Sequence, residues 1–276
     1  MKRYLVIGGS GFLGKACEKV LGAELDSTST TGGKKRIKFS LEKHDIQNQV
    51  DLDSYEFVIV LSGITNTITC ALNKDFTREI NVRKTLKLFK TLSDYSKKIL
   101  YISSDLVFDG AKGNYNESDI PTPIVEYGMQ KLLCEQYLVE YIKSAVVLRS
   151  TRVIDYFENN ILTTWIEKIK KGNKIYLAQD NKMNPIHRND LVLAIKKAFE
   201  FNLTGIYNVS GLKTFSSKSL FEELVRSKNI AVNSKLVEYV NLNDLQLPEK
   251  RPLDTTLDSS LFFNKTNLIR QDILKK

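Results

Sequence analysis

Tyr127 and Lys131 stand four residues apart in the segment Tyr127-Gly-Met-Gln-Lys131. On a helix that spacing puts both side chains on one face, with β-carbons about 5–6 Å apart. A free phenol titrates near pH ~10 and exchanges its proton poorly at neutral pH, but a fixed ammonium beside it favours the phenolate. Held in this way, Tyr127 could serve as a general acid and base. Ser103-Ser104-Asp105, upstream, adds a hydroxyl and a carboxyl to the same chemistry. Tyr-x-x-x-Lys also arises by chance on helices whose lysine is simply solvated, so the reading depends on the elements that carry these residues.

Those elements alternate. Residues 3–8 are a short apolar run of strand formers, Gly8-Gly-Ser-Gly11-Phe-Leu-Gly14 follows at once, and Phe12 to Leu21 has helical spacing. Strand, glycine turn and helix in that order form a dinucleotide loop: the glycines let the backbone approach a pyrophosphate, and the helix start supplies free N–H groups. Gly8, Gly11, Phe12, Leu13 and Gly14 are therefore expected to bind the cofactor. The second strand, Glu24 to Ser29, runs into Thr30-Thr-Gly-Gly-Lys34-Lys35-Arg36, with no carboxylate between Ser27 and Arg36. An acidic residue there would accept the ribose hydroxyls of NAD, whereas positive charge accommodates the 2′-phosphate of NADP. NADP(H) is the preferred expectation, with Lys34, Lys35 and Arg36 as its ligands and NAD(H) as the alternative.

Phe57 to Leu61 is a continuous apolar run ending at Ser62-Gly63, as in a strand buried on both faces of a parallel sheet. Ser62 and Gly63 are placed with the cofactor. Leu72 to Leu92 carries helical spacing through Phe76, Ile80, Leu86, Phe89 and Leu92, and includes Asn81, read either as a solvated helix residue or as one that holds a water near the site. Lys98 to Ile102 is another buried strand, and Ser104 emerges at its carboxyl end, where ligands bind in open parallel sheets. Residues 109–124 read as a loop before the helix of Tyr127 and Lys131. After the strand Val146 to Arg149, helical spans at 160–170, 190–201 and 217–226 alternate with extended ones at 175–178 and 205–209. The pattern predicts an α/β Rossmann-type doubly wound parallel sheet over residues 1–150, with residues 151–276 forming mainly a smaller substrate-binding lobe interwoven with it.

Composition bounds the function. The chain has 276 residues, 42% of them hydrophobic, enough for a large core. Its formal charge of +9 comes from scattered lysines, with one dense cluster at 34–36, which fits a negatively charged small molecule as well as it fits nucleic acid. Cys17, Cys70 and Cys134 lack metal-type spacing, and only His44 and His187 could join them, so no metal site is expected. An odd cysteine count without a framework suits a reducing compartment, and no apolar run approaches the ~20 residues of a membrane span. The expectation is a cytoplasmic protein with no nucleic-acid or membrane partner.

With these residues in view, the chain resembles the extended short-chain dehydrogenase/reductases, and within them the dTDP-4-dehydrorhamnose reductase family. The glycine loop, Ser103-Ser104-Asp105-Leu-Val-Phe-Asp109-Gly110, Pro121-Thr-Pro123 through Glu135, and Arg251-Pro252-Leu-Asp-Thr-Thr-Leu257-Asp258 carry the resemblance. It implies a catalytic hydroxyl at Ser104, a proton donor at Tyr127, and Lys131 on the nicotinamide ribose. It also implies a nucleotide-sugar substrate met by Ser104, Asp105, Arg152 and Arg251, and a homodimer. The implied reaction is NADPH-dependent reduction of a 4-keto-6-deoxy sugar, in surface polysaccharide or deoxysugar biosynthesis. Leu106 stands where the family usually has tyrosine, and Arg152 where it usually has a tryptophan near the sugar. Related dehydratases place an Asp-Glu pair after the hydroxyl, where this chain has Asp105-Leu106, and epimerases favour an acidic end to the second strand. Non-catalytic regulatory subunits, such as that of methionine adenosyltransferase, share the same resemblance.

Overall fold

The computed structural model describes residues 3–33, 35–156 and 160–273. Its strands are β1 (Tyr4–Ile7), β2 (Leu25–Ser29), β3 (Arg36–Lys38), β4 (Phe57–Val60), β5 (Lys98–Ser104), β6 (Val146–Ser150), β7 (Val153–Ile154), β8 (Ile175–Ala178), β9 (Ile186–His187), β10 (Gly205–Val209) and β11 (Val237–Val240). The helices are α1 (Phe12–Leu21), α2 (Thr67–Leu72), α3 (Lys74–Arg78), α4 (Thr85–Asp94), α5 (Glu126–Tyr141), α6 (Ile161–Lys170), α7 (Arg188–Glu200), α8 (Ser217–Ser227) and α9 (Ser260–Thr266).

Seven strands form one parallel sheet in the order β10-β6-β5-β4-β1-β2-β3. Side chains of β1 alternate between its two faces. Tyr4 and Val6 join α1, α7 and α9 in one apolar cluster, while Leu5 and Ile7 join α4 and α5 in the other. This double burial is why β1, β4 and β5 read as unbroken apolar runs. The strand order reverses direction between β1 and β4, so their carboxyl ends open a crevice of the kind that binds ligands in doubly wound folds.

The predicted α/β doubly wound fold is the one observed. β10, from the second half of the chain, pairs in register with β6 and closes one edge of the main sheet. A third apolar cluster, built on Leu162, Trp165, Ile175, Leu177, Phe221 and Leu224, surrounds the β8–β11 pair. No helix among the described residues is long and apolar enough to cross a membrane.

The span expected as one helix, Leu72 to Leu92, is broken. Asn73 leaves helical geometry at φ −128°, and residues Glu79–Lys84 form a π-turn between α3 and α4. Leu72 and Phe76 are consequently exposed instead of facing the core. Apolar spacing registers a helical period but not the extra residue that a π-turn inserts.

Candidate active site

The glycine loop lies over the crevice. Gly8 adopts φ +103°, and a β-carbon there would come within 3.0 Å of the Ser62 amide nitrogen, so the loop packs directly on the end of β4. A β-carbon at Gly14 would sit 2.3 Å from the Gly8 carbonyl oxygen, a contact only glycine permits. The Gly8 and Gly9 amides are fixed by the Thr28 hydroxyl (3.2 Å) and carbonyl (2.8 Å). Gly11 caps α1 with no side-chain acceptor and the first turn holds no acidic residue, which leaves its opening N–H groups open to an anion. Ser62 Oγ, beside Gly8 at the end of β4, is buried and has no hydrogen-bond partner among the described residues. These features fit the cofactor that the glycine loop implies.

At the end of β5 the Ser104 hydroxyl accepts from the Leu106 amide (3.2 Å) and donates to Asp105 Oδ1 (2.9 Å), capping a short 3₁₀ turn. Burial pushes the Asp105 carboxyl up, against hydrogen bonds from Thr255 and Ser104 and the charge of Arg152. α5 presses on this turn through Gly128, where a β-carbon would fall 1.9 Å from the Leu106 carbonyl oxygen and 3.1 Å from Pro123 Cβ. Tyr127, one residue earlier, is thereby held beside the Ser104 turn.

A polar network behind α5 fixes its start. Glu126 takes a bidentate ion pair from Arg78 (2.6 and 2.8 Å) and a hydrogen bond from Gln130 Nε2 (2.9 Å). Gln130 also donates to Thr77 and accepts from Asn81 Nδ2 (2.7 Å). Asn81, carried by the π-turn, accepts from the Ile64 amide (2.7 Å) and donates to the Ile64 carbonyl (2.8 Å). Asn81 is therefore a buried brace between the crevice loop and α5, and not a solvated helix residue.

Lys131 Nζ donates to the Ile102 carbonyl (2.8 Å) and lies 4.4 Å from the Tyr101 ring centroid and 5.6 Å from that of Tyr127. Burial, the largest cause, pulls its ammonium down to about 8. The Tyr127 phenol moves opposite to the sequence expectation. Burial, followed by Cys70 and Asp105, pushes it above the ordinary tyrosine range. Lys131 Nζ is turned to the Ile102 carbonyl, and burial favours the neutral phenol of Tyr127.

Arg152 follows β6, whose Ser150 pairs with Ser104, by two residues. It is exposed, and its charge acts on both Asp105 and Arg251. Arg251 Nη1 lies 3.8 Å from Glu249 Oε1. Ser104, Asp105, Tyr127, Lys131, Arg152 and Arg251 thus gather at the carboxyl end of the sheet, beside the loop of Gly8, Gly11 and Gly14 and the β4 end at Ser62 and Gly63, whereas Leu13 packs on the apolar core and the Phe12 ring centroid lies 5.2 Å from the Arg188 guanidinium. The basic cluster fares differently. Lys34 lies outside the described residues, Lys35 is exposed, and Arg36 is bound by Glu18 through Nε (2.7 Å) and Nη2 (2.6 Å). Arg36 is therefore not a free ligand for a 2′-phosphate, because a carboxylate from α1, absent from the 27–36 segment, reaches it through space. Sequence reasoning missed Glu18, Gln130 and Gly128; only the glycine directly after Tyr127 left a local signal.

The model of the RmlD substrate binding domain matches residues 1–272. A dTDP-4-dehydrorhamnose reductase of Aggregatibacter actinomycetemcomitans is 26% identical over 275 residues, covering 94% of this chain and 91% of the relative. The methionine adenosyltransferase 2 subunit beta of Mus musculus is 27% identical over 229 residues, covering 76% and 67%. The structure of dTDP-4-dehydrorhamnose reductase from Bacillus anthracis in complex with NADP superposes with a TM-score of 0.86 at 21% identity, covering 100% of this chain and 97% of that one. Since the family match runs almost end to end, the chain belongs to the RmlD substrate binding domain family.

Proposed function

We propose that this protein is an NADPH-dependent reductase of a nucleotide-linked 4-keto-6-deoxy sugar. The observation that carries this reading is the contact of Gly128 with the Leu106 carbonyl, which holds the neutral phenol of Tyr127 against the turn that presents Ser104. The dinucleotide, when bound along Gly8, Gly11, Gly14 and Ser62, supplies the hydride. Tyr127 donates a proton to the carbonyl oxygen as it becomes an alkoxide, and the Ser104 hydroxyl turns from Asp105 to hydrogen-bond the same oxygen. Lys131, held at the end of β5, orients the ribose and offsets the negative charge left on Tyr127. Arg152 and Arg251 present positive charge to the phosphorylated substrate.

A second reading, a non-catalytic dinucleotide-binding regulatory subunit, draws support from the similarity to the methionine adenosyltransferase 2 subunit beta. Mixing the purified protein with NADPH and 4-keto-6-deoxy sugars linked to dTDP, UDP or GDP separates the two. Oxidation of NADPH with one of them supports the reductase. Tight dinucleotide binding without turnover on any of them favours the regulator.

A further inference from the structure

The end of β2 is where doubly wound folds choose between dinucleotides, by an acidic group for the ribose 2′-hydroxyl or a guanidinium for a 2′-phosphate. This chain sets both groups against each other. Arg36, at the start of β3, pairs in register with Ser27 of β2. Its Nε and Nη2 edge, the fork that would grip a phosphate, is closed on the two oxygens of Glu18 at 2.7 and 2.6 Å. The Ser27 hydroxyl donates to Glu18 Oε1 at 2.5 Å, and Ser27 is only 1% exposed, so the carboxylate is fixed from below as well as from the side. The pair adjoins the cofactor loop, since a β-carbon at Gly9 would lie 3.0 Å from Glu18 Oε1. Both side chains remain partly open, 29% for Arg36 and 27% for Glu18, so the pair beside the cofactor loop is not sealed from solvent.

We propose that Glu18 is a specificity-positioning residue that sets the dinucleotide preference by withholding Arg36 from the adenosine 2′-position. The pair is neutral as a unit, and attraction for a 2′-phosphate falls to Lys35, which is exposed and free of ion pairs among the described residues. The NADPH preference of the native protein therefore rests on Lys35, and a further preference is latent in Arg36. This inference rests on the dinucleotide-binding part of the proposed function.

Calorimetric Kd values for NADPH and NADH, measured on the full chain, test it through a mutant cycle. Glu18→Gln keeps an acceptor for Ser27 but removes the charge, and is expected to raise the NADPH-over-NADH affinity ratio about tenfold, the low end of one charge-assisted hydrogen bond. Arg36→Ala alone is expected to leave the ratio within about twofold of the native value, and the double variant to lose the gain. A merely structural role for Glu18 would weaken both dinucleotides equally. An unchanged ratio in Glu18→Gln, or a collapse of the native NADPH preference in Arg36→Ala, would overturn the proposal. The second arm decides the matter even if Glu18→Gln does not fold. Failure of the native protein to bind either dinucleotide would instead overturn the cofactor reading itself, and this inference with it.

Discussion

Lys131 loses its proton near pH 8, well below the ~10.4 of a free lysine, because burial disfavours its charge. Below that pH the Lys131 end of the site, proposed to meet the ribose, is cationic, and above it neutral. Dinucleotide affinity is therefore expected to weaken as pH rises through about 8, and Lys131→Arg, which stays charged, to give a flat profile by calorimetry. A flat native profile would contradict the assignment. Stability moves the other way. Between about 8 and ~10.4 the unfolded chain holds the proton that the folded chain has released, so Lys131 contributes stability that grows across that window. The types and spacing of Ser104, Tyr127 and Lys131 were legible in the sequence, but the direction of the Tyr127 shift was not. It follows from the burial of the phenol and from Cys70 and Asp105, which only the fold brings beside it.

At the level of elements, α5 works because Gly128 removes the side chain that would hold it off the Ser104 turn. Gly128→Ala would drive a methyl group into the Leu106 carbonyl, an overpacking that costs about 1–3 kcal/mol and displaces Tyr127. A misplacement of about 1 Å at a reacting group can cost on the order of 10²-fold in rate. Turnover is expected to fall by that order while the NADPH Kd stays within about threefold, since the glycine loop is untouched. Native kcat in this variant would show that the contact does not position the site. The strands and α1 could be read from the chain because each carries its own period or turn residues. The π-turn and the short strands β3, β7, β9 and β11 could not. Asn81 earns its geometry from Ile64 and Gln130, and a two-residue strand such as β7 exists only because β9 pairs with it.

Across the whole molecule, the segment bearing Arg251 must be tied to both halves for the sugar side of the site to form. The Tyr115 amide, donating to the Thr256 carbonyl (2.9 Å), ties it to the first half, and Asn184 ties it to the second. The buried Asn184 side chain donates to Ser210 Oγ (3.0 Å) and the Leu257 carbonyl (2.9 Å) and accepts from the Leu257 amide (3.2 Å). Asn184→Ala leaves the buried Leu257 amide without its acceptor, which costs about 1–3 kcal/mol, while Ser210 Oγ keeps the Leu257 carbonyl and Ser259 Oγ. A lower melting temperature and a raised KM for the sugar nucleotide, with unaltered NADPH affinity, are expected; an unchanged KM would separate this tie from the substrate site. Nothing in the local sequence announces such a contact, because it joins residues 73 positions apart. The most direct test of the reductase reading is Tyr127→Phe, assayed beside the native protein for NADPH oxidation with 4-keto-6-deoxy sugars linked to dTDP, UDP or GDP. Loss of nearly all turnover with an unchanged NADPH Kd is the expected result, and full turnover without the phenolic hydroxyl would contradict it.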